Sequence, residues 1–327
     1  MSEFSTFELS WKKLDPEAKW GLKAKKFTAV NSGFAFFLGV IFTVIFYAAL
    51  LPFYWMNKYQ MVNMFFHGGP EHRSTIPYYT MLLSFWCLAF LLLKLKKIKV
   101  QRKALAIKLV PATDDYVITP ANAHDILMQM GNKINRVENF LVLWRVQRAL
   151  SNLKNIGRVS DVSSLLSDLA KDDASFAENS YTLPRGLIWA IPVIGFIGTV
   201  LGLSQAVGGF GQVIAGGADL EALKNALGGV TGGLATAFET TLIALVAALI
   251  IQLIMTFVMQ KEEEFLDDCA TYCHQNITSH LKLIGVEENS NAAGIASTAV
   301  QNAVPIPANT NVQPAVENNG IPLVKPE

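Results

Sequence analysis

The sequence predicts an all-α integral membrane protein with four transmembrane helices and cytoplasmic helical extensions. Two properties of the 327-residue chain favour this fold class: its mean hydropathy is positive, and only 16% of its residues are charged. A soluble globular domain carries about 25% charged residues. The third observation is a set of four apolar runs, each long enough or nearly so to cross about 30 Å of hydrocarbon, which takes roughly 20 helical residues.

The four apolar runs are the predicted spans. The first two are Phe34 to Trp55 and Ile76 to Leu93, and the second begins with Ile-Pro-Tyr-Tyr, a start typical of a membrane interface. The third and fourth extend from Leu187 to Val207 and from Leu234 to Met259. One such run alone is compatible with a buried helix of a soluble protein, but four runs with polar flanks favour the membrane.

The placement of lysine and arginine predicts the orientation of these spans. Basic residues cluster before the first run and again in KLKKIKVQRKALAIK, directly after the second. The two loops that follow the first and third runs contain only Lys58, Arg73 and Lys224 as basic residues. Because lysine and arginine are enriched in cytoplasmic loops, we expect both termini and the central segment to be cytoplasmic, with the two loops outside.

This topology divides the chain into five segments. They are a cytoplasmic N-terminal segment (1–33), a transmembrane hairpin (34–93), a cytoplasmic helical region (94–186), a core of two spans with a cytoplasmic helix extension (187–283) and a tail (284–327). The tail is rich in Asn, Ala, Pro, Val and Ser without a repeating period. Such a composition cannot bury enough apolar surface to fold, so the tail is predicted to be disordered.

Helical patterns continue outside the spans. Apolar residues from Ile126 to Trp144 recur at a three-to-four spacing, which predicts one amphipathic helix. The next pattern begins near Asp161, which we expect to cap a second helix. After Met259 the fourth span is expected to continue out of the membrane as a helix.

Composition and motifs exclude several functions. The net charge of +1 gives no basis for nucleic-acid binding, and no P-loop, kinase or nucleophile-elbow pattern is present, so we predict neither an enzyme nor a cofactor. Cys269, Cys273, His274 and His280 raise the alternative of a membrane enzyme with a metal site. No second Cys/His pair stands at a zinc spacing, so we predict no metal and interpret the cysteines as small buried apolar residues.

Small residues follow one another along the third span. Gly195, Gly198 and Gly202 fall on neighbouring turns, and the spacing of the last two is typical of helices whose backbones approach closely. Thr199 lies beside this row in mid-span. Plain helix packing, with the threonine hydroxyl bonded back to its own helix, remains the alternative to a functional role.

The fourth span contains a carboxylate. Thr236, Glu239 and Thr240 share one helical face, and Thr241 points about 100 degrees further round the helix. Intramembrane carboxylates face protein interiors or aqueous cavities and mark ion or proton paths. Because Glu239 is near the outer end of its span, a structural carboxylate held by loop groups or by Lys224 is the alternative.

The third and fourth spans together resemble the MotA/TolQ/ExbB proton channel family. IPVIGFIGTVLGL is similar to the family's Gly-Thr-Val-x-Gly element, and LATAFETTLIALVAAL is similar to its Ala-x-x-x-Thr-x-x-Gly-Leu-x-x-Ala element. Thr199 and Thr241 stand at the family's two polar threonine positions. The resemblance covers roughly residues 180–280.

Two departures from the family pattern are visible. Ala244 replaces the glycine usual after the threonine, which we expect to tighten the packing. TolQ and ExbB have three spans, whereas this chain has four, as MotA does. Because its central segment lacks a charge pattern comparable to the torque-generating surface of MotA, we interpret it as an ExbB/TolQ-like member with an additional N-terminal span.

The resemblance implies a proton-driven motor in a bacterial inner membrane. Five copies would surround a dimer of a single-span ExbD/TolR/MotB-type partner, whose membrane aspartate takes up and releases the proton. In this interpretation Thr199 and Thr241 are pore-lining hydroxyls, while Glu239, Thr240 and Thr236 lie at the outer entrance. A flagellar-type stator, a phage-defence motor subunit and a non-conducting membrane scaffold remain alternatives.

Overall fold

The computed structural model describes residues 9–19, 21, 25–56, 60–66, 74–107, 109, 116–153, 158–217 and 219–281. The predicted disordered tail, 284–327, lies outside these described residues. The described part of the chain is helical apart from short connections and one two-residue strand pair, so the predicted all-α class is confirmed.

Among the described residues, four helices are long and apolar enough to cross a membrane, which confirms the prediction of four such helices. They are α3 (Ser32–Trp55), α5 (Ile76–Leu105), α9 (Thr182–Ala215) and α10 (Leu220–Asn276). The other helices are α1 (Trp11–Leu14), α2 (Pro16–Lys19), α4 (Gln60–Asn63), α6 (Ala123–Lys133), α7 (Leu141–Ser151) and α8 (Val159–Asn179). Strands β1 (Leu9–Ser10) and β2 (Ile134–Asn135) pair in parallel, and single 3₁₀ turns occupy Val137–Asn139 and Thr278–His280.

The span helices extend beyond their apolar runs. Helix α10 continues past Met259 to Asn276, as predicted, and also begins before its apolar run, at Leu220. Asp219 caps this start: its side chain accepts a hydrogen bond of 2.9 Å from the amide of Ala222. Helices α9 and α10 thus form a long antiparallel hairpin against which α5 packs, while α3 packs on α5.

The prediction of one amphipathic helix from Ile126 to Trp144 was wrong. The chain leaves the helix after α6, because Ile134 and Asn135 pair with Leu9 and Ser10 and Arg136 adopts a left-handed conformation (φ 64°). Neither conformation is compatible with a continuous α-helix. The apolar spacing correctly indicated that one side of the segment is buried. It did not indicate whether the segment is a single continuous helix.

The prediction that Asp161 caps the next helix was also wrong. Helix α8 begins at Val159 with Arg158 at the N-cap, so Asp161 lies in the first turn. A carboxylate there still stabilises the helix through its macrodipole. Below the spans, α7 and α8 pack against the extension of α10, where Val142, Val146 and Phe265 are fully buried.

Candidate ion pathway between the last two spans

Helices α9 and α10 approach one another along a row of small residues. A Cβ atom added at Gly198 would lie 2.7 Å from Oγ1 of Thr240, and one added at Gly195 would overlap the Cβ of Ala244. A Cβ at Gly202 would come within 3.1 Å of the carbonyl oxygen of Gly233. Real Cβ atoms are not found at the first two separations, so glycine is required for the observed distance between the helices.

The close approach brings the two family threonines together. Thr199 on α9 and Thr241 on α10 share a short hydrogen bond between their hydroxyl groups. The Thr241 hydroxyl also lies 3.1 Å from the carbonyl oxygen of Gly195, and the Thr199 hydroxyl lies 3.3 Å from that of Ala237. Two hydroxyls and two carbonyl oxygens therefore meet in one cluster between the helices, which we call the threonine cluster.

The threonine cluster has the chemistry of a proton or water relay. A hydroxyl donates one hydrogen bond and accepts others. Donation from Thr199 to Thr241, and from Thr241 to the Gly195 carbonyl, uses both hydroxyl protons and leaves acceptor capacity on each oxygen. Such a group can hold water or pass a proton without carrying a fixed charge in the membrane.

The other predicted pathway residues differ in how far their side chains are buried. Thr240 is buried against Gly198, and its hydroxyl donates to the carbonyl of Ala237 at 2.9 Å in its own helix. Thr236 and Glu239 are half-buried. The Thr236 hydroxyl donates to the carbonyl of Gly232 at 3.1 Å. Of the predicted pathway side chains, Thr199 and Thr241 are the pair whose hydroxyls bridge the two helices.

A buried ion pair joins the ends of the second and fourth spans. The ammonium of Lys94 lies 3.0 Å from Oε2 of Glu262, and both side chains are almost fully excluded from solvent. The Thr28 hydroxyl donates to Oε1 of Glu262 at 2.5 Å, and Lys94 donates to the Ser180 hydroxyl at 2.5 Å. The same ammonium lies 4.3 Å from the centre of the Tyr181 ring.

A second buried lysine lies one turn further along α5. Lys97 contacts Oε2 of Glu17 at 2.8 Å and the carbonyl of Ala29 at 2.6 Å. Glu17 also accepts a hydrogen bond of 2.8 Å from the amide of Asn31. Asp15 lies 4.0 Å from Lys97, and burial raises the pKa of its carboxyl above the ordinary value of 3.8 despite this neighbour. These contacts fasten the N-terminal segment to α5.

The ion pairs of Lys94 with Glu262 and of Lys97 with Glu17 were not predicted. The two lysines were used only to predict the orientation of the spans. The available signal was their placement. Lys94 and Lys97 are three residues apart, so they share the face of α5 that carries buried Leu91 and Ile98. Glu262 follows the fourth apolar run in QKEEEF, but nothing local distinguishes it from its acidic neighbours.

The cysteine pair of α10 lies in the part of this helix that packs against α7 and α8. Cys269 and Cys273 are buried free thiols, as a small apolar residue would be. They lie near Arg145, whose Nε donates to Oδ2 of Asp173 at 2.6 Å. Among the described residues, no group of three or more His, Cys, Asp or Glu side chains has the geometry to hold a metal ion.

The four long apolar helices define a multi-pass membrane protein. The family model of the MotA/TolQ/ExbB proton channel family matches residues 145–270, which confirms the resemblance seen in the motifs. The match begins earlier than the 180–280 segment expected, at Arg145 in α7, and so includes the helices that pack on α10. A search of curated proteins and a search of solved structures found no match to the chain.

Proposed function

We propose that this chain is the pore-forming subunit of a proton-driven, ExbB/TolQ-like motor in a bacterial inner membrane. It acts as a channel subunit and not as an enzyme, and it couples the proton-motive force to mechanical work through an ExbD/TolR-type partner. The family match over residues 145–270 supports a proton-channel subunit of motor type.

The single observation that carries this proposal is the threonine cluster. Thr199 and Thr241 are far apart in sequence, yet their hydroxyls meet at the seam between α9 and α10. Gly195 and Ala244, which lie directly beside them, set the helix separation that this contact needs. A scaffold needs the small residues so that the helices can pack closely. It does not need two hydroxyl groups that are hydrogen-bonded to each other between the helices.

In the proposed assembly, five copies surround a partner dimer and both termini are cytoplasmic. The titrating carboxylate belongs to the partner, and Thr199 and Thr241 support the proton path beside it. The membrane potential supplies about 2.3 kcal/mol per proton per 100 mV, which is the driving force for the movement. Glu239, Thr236 and Thr240 are assigned to the outer side of this path.

Proton entry into cells tests the proposal. The chain is produced together with its single-span partner, and cytoplasmic acidification is followed with a pH-sensitive fluorescent protein. We expect partner-dependent acidification that Thr199→Val and Thr241→Val each reduce at least about tenfold, the loss given by about 1.4 kcal/mol of barrier. Thr256→Val is the matched control, because this α10 hydroxyl is exposed and, within the described part of the chain, donates only to the Gln252 carbonyl of its own helix.

The amount of assembled complex is measured in the same cells. Loss of acidification with assembly intact supports a channel. Unchanged acidification in both threonine variants would show that the two hydroxyls do not carry the protons. An assembled complex of the original chain that gives no partner-dependent acidification, together with loss of assembly when Gly198 is replaced by Leu, would instead identify a non-conducting scaffold. A flagellar-type stator is the second candidate, since the four spans match the number in MotA; a peptidoglycan-binding domain on the partner would favour it.

A further inference from the structure

A cleft lies where the N-terminal segment crosses the end of the second span. Its volume is about 400 Å³, and it is lined by Leu14, Pro16, Lys19, Lys96, Lys99 and Val100. The cleft is on the side of α5 away from the Lys94–Glu262 pair. It contributes nothing to the threonine cluster, so it needs a separate explanation.

Three of the lining side chains are cationic and exposed. Within the described part of the chain, Lys19, Lys96 and Lys99 make no ion pair with a carboxylate. The nearby carboxylates of Asp15 and Glu17 are fully buried and face Lys97 instead. The two acidic side chains in the described part of the N-terminal segment therefore face inward, and the three lining lysines give the cleft a positive charge.

The depth of the cleft matches the head-group layer of a bilayer. The second apolar run ends at Leu93, and a helix rises 1.5 Å per residue. Lys96 and Lys99 therefore lie about 5 and 9 Å beyond the hydrocarbon edge. The polar head-group layer is roughly 5–8 Å thick on each side. Lys96 therefore lies within this layer and Lys99 lies just beyond its outer edge, from where its long side chain can reach lipid phosphates. Leu14 and Val100 supply apolar contacts.

We propose that this cleft binds the phosphate of an anionic phospholipid head group. Basic pockets beside transmembrane helices on the cytoplasmic side suit such lipids. A bound lipid would bridge the N-terminal segment, through Lys19, to α5, through Lys96 and Lys99. The inference depends on α5 crossing the membrane and is independent of proton conduction, so either can fail without the other.

Lipid-dependent thermal stability tests this site. The full-length protein, purified in a neutral detergent, is titrated with dihexanoyl phosphatidylglycerol, with dihexanoyl phosphatidylcholine and with inorganic phosphate. We expect phosphatidylglycerol alone to raise the unfolding midpoint saturably. Equal stabilisation by inorganic phosphate would show a soluble-phosphate site, and equal stabilisation by phosphatidylcholine would show a non-specific detergent effect; either result overturns the proposal.

Matched lysine variants locate the effect. Replacing Lys19, Lys96 and Lys99 by Gln is expected to weaken phosphatidylglycerol binding about fivefold for each lysine. The control replaces Lys103, Lys171 and Lys224 by Gln, which removes the same charge from exposed positions outside the cleft. Equal weakening in the control would refute the site. If the triple variant does not stay monodisperse, Lys96→Gln alone must show the fivefold loss.

Discussion

At the residue scale, the contact between Gly195 and Ala244 determines how closely α9 and α10 pack. Glycine is the usual residue at position 244 in the family motif, and here the methyl group of Ala244 occupies the space that a Cβ at Gly195 would need. One small side chain therefore fits between the helices at this level, and it comes from α10. The packing therefore requires that one methyl group, and not two, lies between the helices at this level.

Exchanging the two residues tests this interpretation. Gly195→Ala alone should overpack the seam and lower the free energy of unfolding by about 1–3 kcal/mol. The double variant Gly195→Ala with Ala244→Gly restores a single methyl group and should recover most of that loss. Thermal unfolding in detergent measures both. A double variant no more stable than Gly195→Ala would show that the contact does not set the spacing.

Glu262 and Glu263 are adjacent carboxylates with different surroundings. Glu262 is buried against Lys94, whereas Glu263 is exposed. Glu262→Gln leaves a buried ammonium without its counter-charge and should cost about 3–5 kcal/mol of unfolding free energy. Glu263→Gln should change it by less than about 0.5 kcal/mol. Similar unfolding midpoints for the two variants would contradict the buried pair.

Asp15 should destabilise the fold at neutral pH. Because burial raises its pKa in the folded chain, the folded state binds the Asp15 proton more tightly than the unfolded state does. Its favourable contribution is therefore present below pH 3.8 and is lost as the pH rises through the folded pKa. One of its carboxylate oxygens, Oδ2, also has no hydrogen-bond partner among the described residues.

Asp15→Asn is accordingly expected to raise the unfolding midpoint at pH 7, by an amount that shrinks as the pH approaches 4. Lys97 keeps its contacts with Glu17 and the Ala29 carbonyl in this variant. Asp267→Asn, at an exposed position of α10, is the control and should not produce this pH trend. A lower midpoint for Asp15→Asn at every pH would refute the sign of the effect.

At the element scale, the spans were predictable and the break between α6 and α7 was not. Apolar length alone predicts a span, since water and hydrocarbon differ so strongly as solvents. The break at Ile134 depends on pairing with Leu9, far away in sequence. The spacing of apolar residues within one segment cannot show that the segment pairs with a distant strand.

The difference between local sequence signals and contacts distant in sequence also explains which site residues were predicted and which were missed. Thr199 and Thr241 were found because each stands in a recognisable motif. The pairing of Lys94 with Glu262 joins two helices whose local sequences show only ordinary basic and acidic flanks. Charged residues after a span are common there, so burial of these particular ones follows from the tertiary packing of α5, α10 and the N-terminal segment.

Arg136 provides a test of the break. Its left-handed backbone conformation costs a non-glycine residue roughly 1–2 kcal/mol, and its side chain is exposed. Arg136→Gly should therefore raise the free energy of unfolding by up to about 1 kcal/mol. Arg148→Gly, at an exposed position inside α7, should lower it by about 1 kcal/mol. Destabilisation by both substitutions would argue for a continuous helix.

At the scale of the whole molecule, the buried polar groups lie at two different levels along the span helices. The threonine cluster lies within the hairpin of α9 and α10, whereas the buried ion pairs of Lys94 and Lys97 lie where α5 leaves the membrane. The ion pairs fasten the N-terminal segment, α5 and α10 together. The hairpin of α9 and α10 presents exposed apolar side chains such as Phe196 and Phe238. Lipid or further copies of the chain can cover this surface.

The proton flux of two variants at position 241 tests most sharply whether the threonine cluster conducts. Thr241→Ser keeps the hydroxyl, and Thr241→Val keeps the shape of the side chain without it. In assembled complexes of equal amount, we expect the serine variant to retain flux within about threefold of the original and the valine variant to lose at least about tenfold, as about 1.4 kcal/mol of barrier gives. Equal flux in the two variants would contradict a role for the hydroxyl in conduction.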